Sequence, residues 1–228
     1  MDDEISRFRL VDFARISEDT VPETADNLIR HKFRNTPRWN YNPSRKRMPY
    51  VLVEATSRDD AKASVVGLGP EKGWPYNSEV CDLTYRYLRP RVSECFEVDN
   101  RLIHIRSNVA LKIELTTGIV LDGMAALLWM QPCKTEMLPF NKYGLFGSVE
   151  KFALQESDFS SLDSLYWDLS AYKNRRRRTR LIKRSNLKLW SYERLSQQMD
   201  IFLQAFDMIN SMSDEVLLAR YEDLKGRR

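Results

Sequence analysis

Two stretches of this chain carry positive charge with no acidic residue among them. From Asn27 to Val53 the cations are Arg30, Lys32, Arg34, Arg38, Arg45, Lys46 and Arg47. From Leu169 to Tyr192 they are Lys173, Arg175, Arg176, Arg177, Arg178, Arg180, Lys183, Arg184 and Lys188. The formal net charge is only +4, so these sixteen cations leave −12 for the remainder. Like charges at helix or loop spacing repel and weaken the compact state unless a counter-charge is supplied. A polyanion supplies it and gains entropy by releasing condensed counterions.

The first stretch interleaves its cations with Trp39, Tyr41 and Tyr50, most densely in Arg38-Trp39-Asn40-Tyr41-Asn42-Pro43-Ser44-Arg45-Lys46-Arg47. Rings can stack on bases while cations hold phosphates, a combination suited to single strands and RNA loops. The competing use is internal, with Trp39 and Tyr41 anchoring a loop to the core. In the second stretch, Arg175 to Arg178 are expected to form a phosphate clamp beyond a helix end rather than part of the folded support. A helix dipole accounts for one or two of the nine cations there. Contact with the acidic remainder of the chain is the intramolecular alternative, and in a eukaryotic source the run would also suit a nuclear localisation signal.

Catalytic signals are sparse. No phosphate loop, dinucleotide fingerprint, nucleophile elbow or H-E-x-x-H zinc motif occurs, so no cofactor is expected and no catalytic residue is assigned. His31 and His104 are far apart in sequence, and His104 sits between Ile103 and Ile105 as an ordinary strand histidine would. Cys81, Cys95 and Cys133 are odd in number and form no C-x-x-C pair, which argues against a disulfide framework or a structural zinc site. A metal-dependent nuclease needs converging carboxylates. Glu54, Asp82, Glu97, Asp99, Glu114 and Asp122 are the candidates, but an Asp followed by Glu-x-Lys is absent. Only Asp60-Ala61-Lys62 and the reversed Lys112-Ile113-Glu114 come near.

The elements that must position these groups follow from periodicity. Thr20-Val21-Pro22-Glu23 reads as a capping box opening a helix that carries Ala25, Leu28, Ile29 and Phe33 on one face. Alternation then predicts strands at Tyr50–Thr56 and Val80–Leu88. A hairpin of Glu94–Val98 with Leu102–Ser107 is predicted about Asp99-Asn100, and a second of Val109–Leu115 with Ile119–Leu121 about Thr117-Gly118. Met124 to Met130 is apolar on every face and fits either a buried strand or a buried helix. After Ser148 the chain reads as helical to its end. The apolar stripes are Leu162, Leu165, Tyr166, Leu169, Tyr172; then Leu195, Met199, Phe202, Phe206, Ile209; then, after a cap at Ser213, Val216, Leu217, Tyr221, Leu224.

The predicted class is α+β: an antiparallel β-meander core over about residues 50–130, a short N-terminal helix and three C-terminal helices. Residues 1–147 would form the helix and β-rich core, with 148–228 a helical region packed on it as one unit. At 228 residues with 43% hydrophobic content the chain can bury a full core. An acidic start with no signal-like apolar run and no bilayer-length apolar stretch predict an intracellular, cytoplasmic protein without membrane contact. The expected function is nucleic-acid binding, RNA or single-stranded nucleic acid ahead of duplex DNA, with protein partners in a nucleoprotein complex. The alternatives are the metal-dependent nuclease and an interaction module that docks its Arg-rich segment on an acidic protein.

Overall fold

A computed structural model describes residues 5–33, 41–133, 138–171 and 176–226. Its class is α+β, with two sheets between helices. Strand β1 (Ser6–Arg9) leads into helices α1 (Leu10–Ile16), α2 (Val21–Lys32), α3 (Asn42–Lys46), α4 (Arg58–Ala63) and α5 (Trp74–Tyr87). Strands β2 (Val92–Phe96), β3 (Arg101–Arg106), β4 (Val109–Ile113), β5 (Thr117–Leu121) and β6 (Met124–Gln131) follow. Helix α6 (Tyr143–Leu154), strands β7 (Asp163–Asp168) and β8 (Arg180–Lys183), and helices α7 (Tyr192–Asn210) and α8 (Asp214–Gly226) complete the chain. No helix among the described residues is long and apolar enough to cross a membrane.

The capping box forms as expected. The Thr20 hydroxyl accepts from the Glu23 amide at 3.4 Å and donates to the Glu23 carboxylate at 2.8 Å, and Pro22 occupies the first turn where its missing N–H is harmless. Ala25, Leu28 and Ile29 bury together, with Phe33 packed at their edge. The stripes of α7 and α8 also behave as read: Phe202, Phe206, Ile209, Leu217 and Leu224 are buried, although Val216 faces solvent.

The predicted meander is replaced by two sheets. β3 and β4 form one hairpin, with β1 added parallel to β4. The other sheet runs β2-β5-β6-β7-β8, its β6/β7 pair parallel and the rest antiparallel. Asp99-Asn100 therefore joins strands of different sheets, and Thr117-Gly118 lies inside β5. The tight turn is Asp122-Gly123, where φ values of 50° and 81° give the two left-handed residues that a primed hairpin needs. Gly118 is required for another reason: a Cβ there would meet the Phe96 ring on β2 at 2.0 Å.

Three further expectations are corrected. Tyr50–Glu54 is a π-helical turn, not a strand, because the adjacent Val51 and Leu52 are both buried rather than alternating. Val80–Leu88 belongs largely to α5. Val80, Cys81, Thr84 and Leu88 bury at helical spacing, and the apparent alternation of Leu83, Tyr85 and Tyr87 is incidental. The stripe from Leu162 to Leu169 supplies β7 rather than a helix, since a strand covered on both faces reads as a continuous apolar run, and Tyr172 lies outside the described residues. Successive β6 and β7 residues alternate between two cores. Trp129 and Tyr166 face the cluster built on α1, α2, α6, α7 and α8, while Leu128, Met130, Leu165 and Trp167 face α5 and the Tyr41–Met48 region. The position 147/148, expected as a boundary, falls within α6, and β6 and β7 pair across it.

α6 is fastened to the sheet by a buried carboxylate. Glu150 accepts from Ser164 and, at 2.7 Å, from Tyr166, and lies 3.8 Å from the buried Arg184 guanidinium. Burial raises its pKa above the ordinary 4.5, against the pull of these partners. A raised folded-state pKa contributes stability that is fully present below 4.5 and is lost as pH rises from there through the folded-state pKa. The stability of Glu150→Gln relative to wild type is therefore expected to increase as pH rises from about 4 to 7, measured by chemical denaturation. A pH-independent difference would show that Glu150 titrates normally. Glu150→Ala, which strands Arg184, Tyr166 and Ser164, should cost about 3–5 kcal/mol.

Candidate nucleic-acid interface

The geometry begins at the end of the parallel pair β6/β7. Just beyond the strand ends, the Pro132 and Leu169 carbonyls both accept from Arg177. Its Nη1 donates to Pro132 O and, at 3.0 Å, to Leu169 O, while its Nη2 donates to the Tyr41 hydroxyl at 3.1 Å. Its Nε stands 2.9 Å from the Glu79 carboxylate on α5, and the guanidinium lies 5.6 Å from the Tyr41 ring centroid. Arg177 is only 8% exposed. Burial pushes the Tyr41 hydroxyl pKa up despite the neighbouring Arg177 charge, so the phenol stays neutral as a hydrogen-bonding group. The two acid-free stretches thus meet, 136 positions apart in sequence.

A second buried charge lies beside the first. Asp168 closes β7 with no exposure, receiving Gln131 Nε2 at 2.8 Å, the Ser170 amide at 2.9 Å and Arg180 Nη2 at 2.7 Å, with Arg178 Nη1 at 4.0 Å. Arg180 also covers the Phe140 ring at 4.9 Å. Further along, Arg184 donates to Leu162 O at 2.6 Å and faces Glu150 and Asp163. Arg177 and Arg178 are therefore part of the folded support, not an extension beyond it. Among the described residues the element before the run is a strand, β7, and not a helix.

The remaining predicted residues divide clearly. Lys46, Arg47, Arg176 and Lys188 are exposed and Lys183 is half-buried. Arg47 lies 5.9 Å over the Tyr50 ring. Arg45, on the same short helix as Lys46, turns inward to donate to Met130 O at 3.2 Å. Arg30 and Lys32 look toward α8 instead: Arg30 shares a cavity with Tyr221 and Lys225, and Lys32 pairs with Asp214 at 3.2 Å. Arg34, Arg38, Trp39, Lys173 and Arg175 lie outside the described residues.

Sequence reasoning missed Asp168, Glu79 and Arg9. The signal for Asp168 was present, as a lone carboxylate within the apolar run Leu165-Tyr166-Trp167-Asp168-Leu169. The nuclease candidates do not converge. Glu54 sits on the π turn, Asp82 pairs with Arg58 at 2.7 Å, Glu114 with Lys112 at 2.9 Å and Asp122 with Arg91. Among the described residues no group of three or more His, Cys, Asp or Glu side chains is arranged to hold a metal. Burial pushes the Cys81 thiol up to about 12 and the Cys95 thiol up to about 11, so neither is a ready nucleophile. His31 accepts from Arg15 through Nδ1 at 3.1 Å, because a guanidinium can only donate, and His104 is exposed on β3.

Adjacent arginines should consequently differ in substitution. Arg177→Gln is expected to destabilise the fold by about 2–4 kcal/mol, because the two carbonyls and the Tyr41 hydroxyl lose a charged donor while the partly exposed Glu79 is left to solvent. Arg176→Gln should stay within about 0.5 kcal/mol. Equal effects in denaturant titrations would place Arg177 outside the support. No protein-family model matches this chain, and no curated protein or solved structure is detectably similar to it.

Proposed function

We propose that the protein binds nucleic acid through a composite surface to which both acid-free stretches contribute, and that it does so as a component of a nucleoprotein complex. The observation that supports this reading is the Arg177–Tyr41 contact, which draws the two stretches to one end of the five-stranded sheet. Around it the chain offers Lys46, Arg47 and Arg176 to solvent. Arg34, Arg38 and Trp39 precede this joint in sequence on one side, and Lys173 and Arg175 on the other. The inward arginines hold the frame and the outward cations contact phosphates, which position a strand without reading its bases. Aromatic residues among the cations favour RNA or single-stranded nucleic acid, where every base offers a face for stacking.

An electrophoretic-shift panel with single- and double-stranded RNA and DNA tests the reading. With about three to six phosphate contacts, log K should fall by roughly 0.7–0.9 per contact for each decade of salt. The triple variant Lys46→Gln, Arg47→Gln, Arg176→Gln should lower that slope by about two to three while leaving the melting temperature nearly unchanged. Trp39→Ala should weaken single-strand binding by about 1–3 kcal/mol. Absence of binding to all four nucleic acids, or a slope indifferent to the triple variant, would reject the surface and leave an acidic protein as the remaining counter-charge.

A further inference from the structure

Beside α3 lies a cavity of about 380 Å3 whose walls carry three cations, Arg9, Arg45 and Lys46, the amides of Asn42 and Asn100, and one carboxylate, Glu114. Its size is at the small end of ligand pockets. The charges are unequally answered. Arg9 donates through Nε to Asp12 at 2.7 Å, and Glu114 is engaged by Lys112 at 2.9 Å. Arg45 and Lys46 make no ion pair with a carboxylate among the described residues. Arg45 is the more buried of the two. Of its five donors, Nη2 bonds Met130 O at 3.2 Å, while Nε is shielded from water with no hydrogen-bond partner.

Arg45 is half-buried and among the described residues a single carbonyl is its hydrogen-bond acceptor, so its charge is poorly compensated. Burial lowers the Arg45 pKa, Cys133 and Glu114 act against that, and the like charge of Arg9 adds to it. A role confined to holding the Met130 carbonyl would need one donor, which a neutral amide or an amine could provide. Two cations that line one cavity without a carboxylate partner among the described residues instead suit the oxygens of a tetrahedral dianion.

We infer that this cavity is an anion pocket that takes a single phosphate group, with Arg45 as its buried donor and Lys46 as its exposed one. The phosphate could belong to a free mononucleotide or to a nucleic-acid strand. The second source rests on the proposed function, since Lys46 also belongs to that surface.

The test uses the full chain at constant ionic strength. Thermal shift and calorimetry are run with inorganic phosphate, a nucleoside 5′-monophosphate and a 5′-phosphorylated oligonucleotide, with chloride as the control. Wild type should be stabilised by phosphate in proportion to occupancy. Lys46→Gln should weaken phosphate binding by about tenfold or more, Arg45→Gln should abolish it, and Arg176→Gln should leave it unchanged. If Arg45→Gln fails to fold, the Lys46 and Arg176 pair still decides. No stabilisation by phosphate at tens of millimolar, or stabilisation that survives in the Lys46 variant, overturns the pocket. Oligonucleotide binding that persists without phosphate binding also overturns it and leaves the proposed function standing. Phosphate and mononucleotide binding without oligonucleotide binding supports the pocket and removes the composite surface. Displacement of phosphate by the oligonucleotide identifies the strand as the source.

Discussion

The Arg177 guanidinium is buried, and the groups that face it come from four separate parts of the chain. Tyr41 precedes α3, Pro132 follows β6, Leu169 follows β7, and Glu79 lies on α5. One buried charge therefore ties the end of the sheet to the helices beside it. Asp168 is its counterpart, a carboxylate without exposure held by Gln131, the Ser170 amide and Arg180. The carboxyl ends of parallel strands are where open sheets commonly receive ligands. Here those ends are occupied by the protein's own arginines, which moves any ligand-facing chemistry outward to the neighbouring loops and α3.

Segregation of charge along the sequence is thus partly undone in space. Arg177 is answered by Glu79, Arg178 and Arg180 by Asp168, Arg184 by Glu150 and Asp163, and Lys32 by Asp214. The acidic remainder of the chain is the counter-charge for these. Among the described residues of the two stretches, Lys46, Arg47, Arg176 and Lys188 are exposed, and their exposure costs nothing in desolvation. A long acid-free run is consequently a mixture of struts and exposed cations, and a count of its arginines overstates the charge it presents to solvent.

Legibility followed how local the determining physics was. The Thr20–Glu23 cap and the stripes of α2, α7 and α8 depend on neighbours three and four residues away, and they were readable. So was the presence of basic and aromatic residues in one stretch. β7 was misread because a strand enclosed on both faces loses its alternation, and the spacing of Leu162, Leu165, Tyr166 and Leu169 happens to suit a helix. α5 was misread for the opposite reason, since exposed Tyr87 and half-buried Tyr85 and Leu83 mimic a strand face. The pairing of β2 with β5 and of β1 with β4 is a long-range choice that hairpin signals cannot specify. Distinguishing Arg177 from Arg176 required knowing that Tyr41 and Glu79 would stand beside it.

The joint between the stretches is tested most directly by a double-mutant cycle on Tyr41→Phe and Arg177→Met, measured by chemical denaturation of both single variants and the double. Removal of the phenol oxygen alone leaves the ring in place, so the cycle isolates the 3.1 Å contact. A coupling of about 1 kcal/mol or more is expected for a buried charged hydrogen bond. Additivity within about 0.5 kcal/mol would contradict the contact, and with it the single surface formed by the two stretches.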